Sequence, residues 1–168
     1  LHLQADSLSN LGNGAQIGTW LDNSGNDFDV TQAIVAQQPI FNTSGINGRP
    51  AVNFNSANMN LARSCNTVFN GNANTILGVI NQTATGGTFR GVFHHGRKLL
   101  YFDGTGQFSL FNEIDNAKKV GSADNFISLL TASANMMFSI QHNGASGSLF
   151  KNGSDVTVTN TPITNTAT

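Results

Sequence analysis

A chain of 168 residues has the length of one ordinary domain, long enough to bury roughly two-thirds of its unfolded surface in a core. Only 10% of it is charged, with 8 basic and 9 acidic residues and a net charge of −1, which excludes the electrostatic footprint of a nucleic-acid binder, a charged disordered tail and a coiled coil. No apolar run approaches the roughly 18 residues of a membrane helix, so membrane insertion is not expected. The chain starts at Leu1 without a charged and apolar leader, which reads as a processed product or an excised fragment. Its single cysteine, Cys65, excludes an internal disulfide and a cysteine-based zinc cluster.

Helical periodicity is nearly absent, because Asn, Gly, Thr and Ser interrupt every window before apolar residues can recur over three turns. The expected fold class is therefore all-β. Strand-length runs are read at residues 51–55, 75–81, 89–95, 98–103, 107–112 and 126–131. The clearest is at residues 136–142, where Met136, Phe138 and Ile140 take one face and Ser139 and Gln141 the other. Asn-Gly pairs at Asn13, Asn47, Asn70, Asn143 and Asn152 supply the positive φ angles of tight hairpin turns. The best hairpin joins the alternating runs on either side of Asn152-Gly153 within residues 148–158. Residues 159–168, rich in Thr and Asn, read as an extended tail or linker. The expected organisation is one domain at residues 1–158 followed by that tail.

The first third carries an ordered set of short motifs: Leu1-His2-Leu3-Gln4-Ala5-Asp6, then Trp20-Leu21-Asp22-Asn23-Ser24-Gly25-Asn26, Gln38-Pro39, and Asn47-Gly48-Arg49-Pro50-Ala51-Val52-Asn53-Phe54. Together they resemble the opening of a LamG-like jelly-roll domain of the concanavalin A-like lectin/glucanase superfamily. The resemblance implies an antiparallel two-sheet jelly-roll sandwich, and such packing would use the 12 Phe of the chain in its core. Members usually end with a further strand that closes the sheet near the N-terminal strand. Here the Thr/Asn-rich residues 159–168 do not read as that strand, so an open edge able to share a strand with another subunit is expected.

The glucanase branch works with paired carboxylates on alternate positions of one strand. The nearest match here is Glu113 and Asp115, followed by Ala117 and Lys118 where a second Glu would stand, so no catalytic residue is assigned. No Gly-x-Ser-x-Gly elbow is present, and adjacent His94 and His95 would point to opposite strand faces rather than chelate one metal. The carboxylates Asp22, Asp27 and Asp29 surround a short polar loop and suit calcium, although Asx-turn hydrogen bonding accounts for the same residues. Carbohydrate recognition pairs an aromatic platform with planar or charged hydrogen-bonding groups. The set that fits is Arg90, His94, His95, Arg97 and Tyr101, while Trp20, the sole Trp, is read as a core residue. The expectation is a non-catalytic module of the cell exterior, cell surface or virus particle. Its partners would be a glycan or, as a structural subunit of a surface, filament or phage assembly, neighbouring protein subunits.

Overall fold

The computed structural model describes residues 1–56, 58–63, 73–81, 90–95, 98–102, 108–112, 117–121, 135–160 and 162. They are mostly strand, with two short 3-10 turns at Ala5–Leu8 and Val35–Gln37 as the only helical pieces described. The chain divides into two compact units, Leu1–Ser64 and Cys65–Thr168.

The first unit is built from two hairpins. β1 (Thr19–Trp20) pairs antiparallel with β2 (Val30–Thr31), and β3 (Ile40–Ile46) with β4 (Arg49–Asn53). Asn47 and Gly48 connect β3 to β4 with φ of 50° and 73°, the left-handed pair whose twist matches two antiparallel strands. Leu8, Ile17 and Phe41 are its buried core, and Leu11, Trp20, Val52 and Leu61 pack against them. Trp20 thus belongs to the packing, and its indole N–H donates to the Gln4 carbonyl at 2.8 Å. The ladder shifts register between Asn42 and Ile46. Gly45 lies in that irregular stretch, where an added Cβ would stand 2.5 Å from the Ala51 Cβ, so only glycine lets the strands approach.

The second unit is an all-β sandwich. One sheet runs in the order β12 (Ser154–Asp155), β11 (Gly147–Lys151), β10 (Asn135–Asn143), β5 (Ala73–Asn81). The other runs β13 (Thr159–Asn160), β9 (Ala117–Gly121), β8 (Phe108–Asn112), β7 (Lys98–Phe102), β6 (Arg90–His95). Every pairing in both is antiparallel. Leu100, Phe102, Phe108 and Leu110 from one sheet bury against Met136, Phe138, Ile140 and Leu149 from the other. The rings of Phe108 and Phe138 meet edge to face across the two layers, with centroids 5.1 Å apart at 76°, the geometry favoured by aromatic quadrupoles.

The alternation read at residues 136–142 holds along all of β10: Met136, Phe138, Ile140 and His142 are buried, while Met137, Gln141 and Asn143 are exposed. The hairpin about Asn152 and Gly153 also forms, with φ of 48° and 85° and Lys151 opposite Ser154. Residues 126–131, Cys65 and the Asn70-Gly71 pair lie outside the described residues. In the Thr/Asn-rich stretch, Thr159 and Asn160 pair with Gly121 and Val120 and so add a strand beside β9.

Two positions at the β5 and β10 ladder test this packing. Gly78 faces Phe138, and a Cβ there would come within 2.6 Å of the ring. Gly78→Ala is therefore expected to destabilise the unit by about 1–3 kcal/mol through overpacking. The neighbouring Ser139 hydroxyl is buried with no hydrogen-bond partner, so Ser139→Ala should leave stability unchanged or raise it by up to about 1 kcal/mol. Chemical denaturation of both variants checks this; equal losses for the two would contradict the geometry.

Candidate functional site

A concavity opens at one end of the four-stranded sheet. It holds about 440 Å³ and is lined by Ala73, Asn74, Thr75, Gln141, His142, Asn143, Ser146, Gly147 and Ser148. Three strands build it. Register places Asn143 opposite Ala73, His142 between Asn74 and Gly147, and Gln141 between Thr75 and Ser148. Polar side chains thus stand in adjacent rows where the strands leave the core. A strand end tolerates such residues because water or a ligand reaches them there.

The loop from β10 to β11 fixes the rim. Gly144 takes φ of 95°, and the Asn143 side-chain carbonyl accepts from the backbone N–H groups of Ala145 and Ser146 at 2.9 and 2.8 Å. This Asx-type turn presents Ser146 at the mouth. His142 is only 3% exposed, and its Nδ1 accepts from the Gly144 N–H at 2.9 Å. In the neutral ring the proton is therefore on Nε2. Among the described residues the lining has amides, hydroxyls and one imidazole and no carboxylate or cationic chain. Such groups both donate and accept, which suits a ligand rich in hydroxyls.

The residues picked from sequence fall elsewhere. Arg90, His94 and His95 are on β6 and Tyr101 is on β7, so the structure does bring these segments together as neighbouring strands. His94 is exposed. Tyr101 is 3% exposed, opposite Gly91 on one side and the buried Ser109 on the other, and offers no open ring face to a sugar. Arg97, Glu113 and Asp115 lie outside the described residues.

The acidic loop of the first unit is closed on itself. Asp22 Oδ1 accepts from the backbone N–H groups of His2 and Ser24 at 2.6 and 3.0 Å, and Oδ2 from the Ser24 hydroxyl and the Phe28 N–H at 2.5 and 3.1 Å. Asp29 Oδ1 accepts from the Asp22 N–H at 2.8 Å. Asp27 has φ of 53°, and its carbonyl accepts from Arg63, whose guanidinium also stacks on Phe28 at 4.7 Å. Among the described residues no group of three or more His, Cys, Asp or Glu is placed to hold a metal ion. Of the residues read as calcium ligands, Asp22 and Asp29 thus spend carboxylate oxygens on backbone and hydroxyl donors, while Asp27 meets Arg63 through its backbone carbonyl.

The cleft residues were missed because no local motif marks them. The available signal was the run Gln141-His142-Asn143 beside an Asn-Gly turn, where apolar alternation gives way to polar residues. What the sequence lacked was the partner strand, since Asn74 and Thr75 precede that run by more than sixty positions. No family model, curated protein or solved structure matches the chain.

The acidic loop generates a prediction of definite sign. Desolvation is the largest single influence and works to raise the Asp22 pKa, but the Ser24 hydroxyl and the backbone N–H groups of His2, Ser24 and Phe28 together outweigh it and hold the carboxyl well below its ordinary value. A depressed folded-state pKa makes the contribution to stability complete above the ordinary value of 3.8 and lost as the pH falls below it. Asp22→Asn should therefore melt below the parent chain at neutral pH, with the gap closing as the pH is taken down through the acid range. Fluorescence of Trp20, the sole Trp, reports this unit alone. A pH-independent gap, or none at neutrality, would contradict the assignment.

Proposed function

We propose that the chain is a non-catalytic binding module for uncharged glycans, with the cleft between β5, β10 and the β10–β11 loop as its site. The observation that carries this reading is the lining: Asn74, Thr75, Gln141, Asn143, Ser146 and Ser148 surround about 440 Å³ without a formal charge among them. That volume lies within the roughly 300–1,000 Å³ of small-molecule sites. Planar amides and hydroxyls can answer sugar hydroxyls as donor or acceptor, and their bonds are insensitive to salt. A glycosidase would need two carboxylates about the sugar, and the described residues of this cleft include none. The motifs of residues 1–54 support the same reading, since they resemble the LamG-like jelly-roll domains of the concanavalin A-like lectin/glucanase superfamily. On that reading the sandwich is a jelly roll, and the module works outside the cell, on a cell surface or on a virus particle. The structural-subunit reading draws on a different feature, the apolar half of the same sheet face.

A glycan array tests the proposal. Saturable binding is expected for neutral saccharides, little changed between low and high salt. Gln141→Ala and Thr75→Ala each remove a side chain at the cleft and should weaken binding by roughly 3–10-fold. A flat array, binding confined to sialylated or sulfated glycans, or full binding by both variants would refute it.

A further inference from the structure

Residues in register across a ladder point to the same side of the sheet. On the outward face of β5, β10 and β11 this makes four rows: Ala73 with Asn143; Thr75 with Gln141 and Ser148; Leu77 with Ser139 and Phe150; Val79 with Met137. The first two rows belong to the amide-lined cleft. The other two are an apolar strip in which Leu77 is 74%, Val79 56% and Met137 55% exposed. A hollow of about 280 Å³ lies in this strip, bordered by Leu77, Met137, Ser139, Gln141, Phe150 and Gly153. Within β5, β10 and β11 no row contains a charged residue. The described carboxylate on this side, Asp155, stands opposite Phe150 on β12, at the margin.

We propose that this face docks a second copy of the same chain, face to face about a two-fold axis running along β10. That axis lays apolar rows on apolar rows and amide rows on amide rows. It sets Leu77 of each copy over Phe150 of the other, beside the hollow above Ser139. An uncharged face can meet its own image without like-charge repulsion, which a face bearing one sign of charge cannot. The size also fits. Three strands about 4.8 Å apart, with the nine residues of β5 and of β10 rising about 3.3 Å each, make a face of roughly 15 by 30 Å. Two copies then remove on the order of 1,000 Å² from water, the lower bound for a specific interface, so the dimer is weak and concentration-dependent. Gln141 borders both the hollow and the cleft, so the docked copy closes the cleft, and a saccharide competes with it. Only this last clause rests on the glycan reading.

Sedimentation velocity on the full chain, from about 1 µM to about 1 mM, tests the docking without any sugar. A monomer–dimer equilibrium is expected. Leu77→Asp and, separately, Met137→Lys, both at exposed positions, should weaken it at least about tenfold with an unchanged melting temperature. A chain that stays monomeric throughout would overturn the proposal and leave the face to a different occupant. A dimer undiminished in both variants would overturn it too, by placing the contact elsewhere. A neutral saccharide that binds should shift the equilibrium toward monomer; binding without a shift would overturn the closure of the cleft whether or not two copies associate.

Discussion

The antiparallel ladder between β5 and β10 is the contact on which the second unit depends. Nine consecutive pairs, from Asn135 with Asn81 to Asn143 with Ala73, join segments more than fifty residues apart in the chain. Closing so long a loop costs conformational entropy, which the ladder must recover from burial and backbone pairing. Its inward side does this by placing Met136, Phe138 and Ile140, with Ile76 and Ile80 beside them, against the other sheet. Gly78 makes room for the Phe138 ring, and that ring meets Phe108 across the sandwich. Because the side-chain period is two, the register that buries these residues also dictates what the outward side presents. A slip of one residue would remove core and cleft together.

Scarcity of charge shapes the same outward side. Across β5, β10 and β11 no ionised group stands in its rows, and Asp155 at the β12 margin is the described carboxylate beside them, so the face has little of the long-range field that steers charged ligands or of the like-charge repulsion that keeps surfaces apart. It divides instead along the strands, amide and hydroxyl toward the β10–β11 loop, apolar toward the far end. The two halves suit different occupants, hydroxyl-rich ligands and a second apolar face. Their junction is Gln141, which borders both concavities. Charge is used locally elsewhere: in the first unit Asp22 gathers four donors and fastens residues 2, 24 and 28 to one carboxylate.

Much of the fold was legible because its signals are local. The all-β class follows from the absence of helical periodicity, and the strand at residues 136–142 from the alternation of Met136, Phe138 and Ile140 with polar neighbours. The turns at Asn47-Gly48 and Asn152-Gly153 follow from the φ angles those residues accept. The cleft was not legible, for a physical reason: Thr75 and Gln141 become neighbours only through long-range pairing, and neither stands in a chemical motif. Tyr101 misled for the complementary reason. It stands in the run Lys98-Leu99-Leu100-Tyr101-Phe102, where alternation would turn either Tyr101 or its neighbours outward, yet β7 carries buried side chains at Leu100, Tyr101 and Phe102 in succession. The loop of Asp22, Asp27 and Asp29 offered two chemistries at once, and the geometry gives carboxylate oxygens of Asp22 and Asp29 to backbone and hydroxyl donors.

The β5–β10 register is the premise shared by the packing, the cleft and the docking face, and proton NMR reads it most directly. With Phe138 packed on Gly78, the Gly78 Hα protons should show a large ring-current shift and cross-peaks to the Phe138 ring, both lost in Phe138→Leu. Gly78 Hα resonances at unshifted positions without contact to that ring would contradict the register, and with it the placement of Thr75 beside Gln141.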